Sequence, residues 1–308
     1  MSLLVVGSVA YDTVETPFGK VDEALGGSAI YFSAAASFFV PVRLVAVVGE
    51  DFDRSQLRFL EKRNVDLTGL TTESGLTFRW AGRYDYDLNA RETLYTHLNV
   101  FENFVPRLPE SYRDSEYIFL ANIMPQLQMR VLEQVDRPKL VVLDTMNYWI
   151  ENTPAELQQT LKKVDVLIIN DAEARQLSQE ANLFRAARSL LDQGPHTVVI
   201  KKGEHGALMV TRQGCFWAPA YPLETLCDPT GAGDTFAGGF VGYLAYTGDL
   251  SEQNLRRAVV YGSVLASFCV ERFSVDRLRD LKPEEIQERF NAFLDLTRVD
   301  HGSTLQCR

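Results

Sequence analysis

"CDPTGAGDTFAGGF", residues 227–240, sets glycines at 231, 233, 238 and 239 among Asp228 and Asp234. A glycine inside a helix costs roughly 1 kcal/mol relative to alanine, yet Gly238, Gly239 and Gly242 fall within a helix-like apolar pattern. They are expected to let that helix pack closely on its neighbours. Upstream, Gly231-Ala232-Gly233 lets several backbone N–H groups converge at a helix start, where free amides and the positive end of the helix dipole make an anion site. Asp234 sits in the first turn. An acid there is favoured by the dipole alone, but beside a phosphate cradle it is opposed unless it has work to do. A base that takes the proton of an alcohol attacking phosphorus meets that need. No GK[ST] occurs in the chain and "VVGSVAYD" lacks the second glycine of GxGxxG, so neither a Walker loop nor a dinucleotide fingerprint is present.

Outward from this segment, apolar runs alternate with amphipathic stretches. "LLVVGSV", "RLVAVVG", "YIFLANI", "KLVVLDT", "VDVLIIN" and "HTVVIKKG" read as strands, and 154–163 and 173–192 as helices. Near-continuous apolar strands indicate a parallel sheet covered on both faces, and hence one α/β unit of three α/β/α layers over residues 1–308. Ligands of such sheets bind beyond the carboxyl ends of the strands. Residues 76–100, "LTFRWAGRYDYDLNARETLYTHLNV", alternate with period two instead, with Phe78, Trp80, Tyr84 and Tyr86 on one parity and Arg79, Arg83 and Asp85 on the other. This predicts a small antiparallel β flap, inserted at approximately 11–20 and 76–103. Its aromatic face either packs on the core or a second subunit, or closes over a substrate.

The chain has 308 residues and a formal charge of −10, which argues against a nucleic-acid scaffold. No apolar run approaches the ~20 residues of a membrane span. The opening "MSLLVVGSVAYD" lacks a basic n-region and cleavage site, so it is read as a core strand and not a signal peptide. Cys215, Cys227, Cys269 and Cys307 form no CxxC pair, and His97, His196, His205 and His301 have no metal spacing. A reducing cytoplasm is the expected setting.

Several other positions follow strands. Asn170 and Glu173 are spaced as a capping box. Lys201 follows "TVVI", where it either pairs with phosphate or is solvated. Asp144 ends "KLVVL", and Asp12 is taken to end the first strand.

"DPTGAGDTFAGGF" resembles the C-terminal signature of the ribokinase-like (PfkB) carbohydrate and nucleoside kinases. In order along the chain, "GGSAIYFSAAASFFVPVRLVAVVGED" is similar to the family's N-terminal diglycine segment, "NDAEARQL" to its N-x-x-E motif, and "VVIKKGEHGA" to its nucleotide-side strand turn. The resemblance covers essentially the whole chain. It implies an ATP-dependent kinase acting on a hydroxyl of a sugar or nucleoside, with Asp234 as base and Gly231, Ala232 and Gly233 as the anion hole. It implies substrate contacts from Asp12, Gly26, Gly27, Ser28 and Tyr31, and nucleotide contacts from Asn170, Lys201, Gly203 and Gly206. Glu173 would organise Mg²⁺ through water. Asp228 and Thr230, with the loop around Phe273 and Ser274, would hold a monovalent cation such as K⁺. Tyr31 departs from the family, whose sugar kinases commonly place asparagine there. As a ring for stacking it points to a nucleoside; as a core aromatic it would not. A non-catalytic small-molecule-binding protein on the same fold is the alternative, with the intact Asp234, glycines and Glu173 against it. No membrane or nucleic-acid partner is expected, and the chain is either a monomer or a homodimer through the lid.

Overall fold

The computed structural model describes residues 1–88, 90–296 and 298; His301 and Cys307 lie outside them. Thirteen strands fall into two sheets among the described residues. They are β1 (Leu3–Val6), β2 (Ala10–Thr16), β3 (Gly19–Gly26), β4 (Val42–Gly49), β5 (Val65–Glu73), β6 (Phe78–Tyr84), β7 (Arg91–His97), β8 (Tyr117–Leu120), β9 (Leu140–Asp144), β10 (Val166–Asn170), β11 (Thr197–Lys201), β12 (Ala207–Thr211) and β13 (Cys215–Ala218). The main sheet runs β13-β12-β11-β10-β9-β8-β1-β4-β5. Its pairs are parallel from β11 to β5, and β12 and β13 add an antiparallel edge.

Strands such as LLVV, YIFL and LVVLD are buried on both faces, as their unbroken apolar runs require. One face packs on the helices Ser28–Ala36, Ala232–Thr247 and Glu252–Cys269 through Phe32, Phe236, Phe240 and Phe268. The other lies under Val131, Leu157, Leu161, Ala174 and Leu190. These are the two outer layers of the α/β/α arrangement.

The glycines of the 232–247 helix are contact points. A Cβ at Gly238 would stand 2.4 Å from the Phe32 carbonyl oxygen, and one at Gly239 2.9 Å from that of Tyr261. Helix backbones therefore touch on both sides, and alanine at these positions would force them apart.

The second sheet runs β3-β2-β6-β7. Its β2–β3 and β6–β7 pairs are antiparallel, but β2 and β6 join in parallel, Ala10 beside Phe78. Its first half extends to Gly26, beyond the residue 20 expected from sequence. The first core strand stops at Val6, so Asp12 lies in the lid strand β2 and not at the end of β1. The lid's aromatics do not share one fate. Phe78 stacks on Phe101 with ring centres 5.3 Å apart, Tyr84 is buried, and Tyr86 is 83% exposed.

Candidate active site

The helix Ala232–Thr247 begins with Gly231 at φ 75° and has no side-chain cap. That left-handed turn is open to glycine with little strain, and the Tyr31 ring closes the position further, since a Cβ on Gly231 would meet it at 2.3 Å. Tyr31 is 1% exposed and its hydroxyl has no hydrogen-bond partner among the described residues. In this structure it is a buried aromatic packed against the turn, the second of the two readings open to it from sequence. The Ala232 N–H donates to the Pro229 carbonyl and the Thr235 N–H to that of Gly231. Ala232 is thus occupied and the Asp234 N–H donates to its own carboxyl, so the Gly233 N–H is the amide the first helical turn leaves over among the described residues.

Asp228 shapes the approach to this turn. Its two oxygens accept the N–H groups of Thr230 at 2.8 Å and of Ser274 at 3.3 Å. Burial raises its pKa despite these bonds. The carboxylate thereby organises the turn. Thr230 Oγ1 meets the Tyr84 hydroxyl at 3.1 Å, fastening the lid to the turn. Two further bonds tie lid to body, Thr16 Oγ1 to the Cys227 carbonyl and Ser274 Oγ to that of Leu25.

Lys201 is not solvated. Its Nζ lies 3.7 Å from Asp144 Oδ2, with only 17% and 8% of the two side chains exposed. The same Nζ would stand 2.8 Å from a Cβ on Gly233. An ammonium therefore flanks the amide turn. Burial opposes its charge, but Asp144, Glu173 and Asp234 together raise its pKa. Asp144 ends β9 beside Ile168 and Lys201 ends β11 beside Asn170, two residues further along β10, so the lysine side chain reaches back across β10 to meet the carboxylate. Burial raises the Asp144 pKa against the pull of Lys201.

Asp234 is raised from 3.8 to about 7, first by burial and then by the nearby Asp144 charge, with Lys201 opposing. The fold itself thus brings this acid to the pH range in which a general base is most effective. Glu173 is also raised to about 7, by burial and by Asp144. It closes a complete capping box. Its Oε2 accepts the Asn170 N–H at 2.9 Å, and Asn170 Oδ1 accepts the Glu173 N–H at 2.8 Å.

Asp12 faces this group from the lid and is raised to about 7 by burial and by Asp228. A Cβ on Gly26 would stand 1.9 Å from its Oδ2, so Gly26 is needed for the carboxylate to fit. Gly27, at φ 97°, starts the helix Ser28–Ala36. Ser28 is buried in a reciprocal bond with Ser8, the two Oγ atoms 3.1 Å apart, which makes it a strut and not a free substrate donor. Gly203 and Gly206, at φ 52° and 87°, form the tight turn between β11 and β12.

Among the described residues no three His, Cys, Asp or Glu side chains gather as a metal cage. Glu173 and Asp144, gathered with Lys201 beside the amide turn, suit Mg²⁺ carried in on phosphate with its waters better than a dedicated protein cage. Sequence reasoning missed Arg91, which opens β7 opposite Tyr84 and whose charge favours the ionised forms of Asp12, Asp234 and Glu173. Only its place in the period-two stretch could have marked it.

No helix among the described residues is long and apolar enough to cross a membrane. The chain is 30% identical over 247 residues to a cytidine kinase of Thermococcus kodakarensis, covering 78% of this chain and 87% of that one. It is 25% identical over 284 residues to a nucleoside kinase of Methanothermobacter thermautotrophicus, covering 87% and 89%. In fold it is similar to a Burkholderia thailandensis nucleoside kinase solved with inosine, at TM-score 0.78 and 19% identity, covering 95% and 99%. The sequence model of the pfkB family of carbohydrate kinases matches residues 2–280. The chain therefore belongs to the pfkB family of carbohydrate kinases, phosphotransferases whose acceptor is a hydroxyl group.

Proposed function

We propose that this enzyme transfers the γ-phosphoryl group of ATP to a sugar hydroxyl of a nucleoside. The observation that carries the reading is one constellation. Asp234 stands in a helix turn with a free amide, Lys201 flanks that turn, and Asp12 faces it from the lid.

The acceptor hydroxyl lies between Asp12, which accepts a hydrogen bond from the sugar, and Asp234, which takes the reacting proton. The Gly233 N–H faces the oxygens of the transferred phosphoryl group, joined by the Asp234 N–H once the Asp234 carboxyl turns to the acceptor, and Gly231 sets their direction. Lys201 offsets the charge gathered there, held in place by Asp144. Glu173 would hold Mg²⁺ through its waters, and the ion would supply positive charge to the phosphate oxygens. The structural burden on Asp228 leaves K⁺ a further binder at the same turn, with Thr230 beside it, and not a requirement of this geometry.

Support for a nucleoside comes from the relatives' activities and from the lid. The former include cytidine and nucleoside kinases. In the lid, Trp80 is half-buried near Asp12, its partner in the β2–β6 register. An aromatic surface is best matched by a flat, apolar or π-faced group, which a nucleobase supplies and a free pentose does not.

The test is ADP release from Mg·ATP with a panel of nucleosides, pentoses and hexoses. At least one nucleoside, cytidine among them, is expected to exceed every free sugar in kcat/KM. Ribose, deoxyribose or fructose turned over far better than all nucleosides would overturn the acceptor class while leaving the kinase activity intact.

A further inference from the structure

The helix Pro125–Leu132 turns Pro125, Gln128 and Val131 toward the sheet. That spacing is the core-facing stripe of a helix, and Val131 packs there with Leu157 and Leu161. Gln128 stands in the middle of the stripe and is 0% exposed. An amide in such a place is costly unless hydrogen bonds replace its water. Its Nε2 donates two, to the Ala121 carbonyl at 2.9 Å and to the Asp144 carbonyl at 3.1 Å. Its Oε1 has no partner among the described residues. The two carbonyls therefore fix which end of the amide faces them, and the donors are what this side chain brings to the core.

Both carbonyls lie where the sheet runs out. The parallel pairing of β8 with β9 ends at Leu120 beside Leu143, and Ala121 and Asp144 are the next residue of each chain. Gln128 splices the two strands one step beyond their last ladder pair, which fixes the Asp144 backbone. The Thr145 N–H fixes the carboxylate, donating to Oδ1 at 2.9 Å, and Oδ2 is left toward Lys201 Nζ at 3.7 Å. The same Nζ stands beside Gly233 in the amide turn. One line of contacts thus runs from a core helix to the proposed site of phosphoryl transfer, with Gln128, Asp144 and Thr145 all buried along it. Methionine would fill the same volume, but it would leave the Asp144 carbonyl unpaired and the end of β9 free to shift, and the lysine would follow.

Resting on the kinase reading, we propose that Gln128 is a positioning residue for phosphoryl transfer, holding the end of β9 so that Asp144 keeps Lys201 against the amide turn. Buried beneath the sheet's edge, it touches neither acceptor nor nucleotide and exchanges no proton. Its effect on turnover passes wholly through the Asp144–Lys201 pair. An amide that merely stabilised the fold would act on turnover independently of that pair.

The experiment is a double-mutant cycle on kcat, with Mg·ATP and the best acceptor of the panel, using Gln128→Met, Lys201→Met and the two together in the full chain. Gln128→Met keeps the volume and removes both donors, so kcat should fall roughly tenfold, as for a slight misplacement of a reacting group, with the acceptor KM little changed. Lys201→Met alone should lose roughly 10²-fold. Adding Gln128→Met to Lys201→Met should then change kcat by less than about twofold, because the group it positions is gone. Val131→Ala, in the same buried stripe, is the control for lost stability. Its urea midpoint should fall while kcat stays within about twofold of wild type. Gln128→Glu keeps the shape and, protonated in the core, one of the two donors, so it should recover part of the loss. It also carries the cycle if methionine prevents folding. The positioning role is overturned, and the kinase reading stands, on any of three results. These are near-wild-type kcat in Gln128→Met, an effect that multiplies that of Lys201→Met in full, or an equal slowing by Val131→Ala. A wild-type chain inert toward the whole acceptor panel overturns the kinase reading, and the positioning with it.

Discussion

Replacing Asp234 by asparagine keeps the shape of the first helical turn and removes both the proposed base and a buried charge. The two losses have opposite signs in different assays. The fold raises this carboxyl from 3.8 to about 7, chiefly through burial and the Asp144 charge. Between those values the native state holds a proton that the unfolded chain has released, so the group's contribution to stability falls as pH rises from about 4 to about 7. Above pH 7 the native state carries the charge at full cost. Three units at ~1.36 kcal/mol each set a ceiling of about 4 kcal/mol. That net shift already contains the attraction of Lys201; the asparagine amide is itself desolvated at this site, which returns roughly half of the ceiling and leaves a gain of ~2 kcal/mol. At roughly 2 °C per kcal/mol for a chain of this size, Asp234→Asn should melt about 4 °C above wild type at pH 8 and close to it at pH 5. Turnover should meanwhile fall by ~10²-fold or more, with ATP affinity little changed because the amide turn survives. Melting curves at the two pH values and steady-state kinetics on the best acceptor check both arms. A pH-independent difference in melting temperature would refute the buried-charge account, and near-wild-type turnover would remove Asp234 from the chemistry.

Glu173→Gln preserves both arms of the capping box and removes a second buried carboxyl raised to about 7, so melting temperature should be nearly unchanged at pH 5 and somewhat higher at pH 8, while the Mg²⁺ concentration for half-maximal rate rises; an unchanged Mg²⁺ dependence would confine Glu173 to its cap. Tyr31→Phe removes a buried hydroxyl without a partner and should stabilise by about 1 kcal/mol, with the same kcat/KM for nucleosides; a tenfold loss of kcat/KM would restore Tyr31 to the acceptor site. Gly231→Ala combines a left-handed backbone with collision against the Tyr31 ring and should cost ~2–5 kcal/mol, read in urea denaturation. A loss below about 1 kcal/mol there would mean that the turn relaxes freely.

The parallel core was legible because buried strands carry unbroken apolar runs, and the amide turn because only glycine accepts Gly231's backbone and surroundings. The Asn170–Glu173 cap was legible for a local reason, since both of its bonds span three residues. What escaped depends on register and side-chain direction. Asp144 and Lys201 meet across an intervening strand, a proximity no sequence window contains. Asp12 was assigned to the end of β1 because "VVGSVAYD" reads as one apolar run, whereas the chain leaves the main sheet after Val6 and enters the lid. Tyr31 carries the same residue type whether it faces a ligand or a glycine.

The parallel seam between β2 and β6 bears on how the molecule comes into being. An antiparallel hairpin can close as soon as its turn forms, but β2 and β6 are brought side by side only after the chain between them has built β3, the helix Ser28–Ala36, β4 and β5. Pairing over so long a stretch pays its loop-closure entropy before it gains any contact. The lid is thus a late event in folding, and with every residue of β7 exposed its amides should be among the first to exchange with solvent from the native state. Asp12 travels with that seam and Asp234 with the body. A partly folded chain therefore holds the two carboxylates apart, and acquires the means to spend ATP only when its last strands lock.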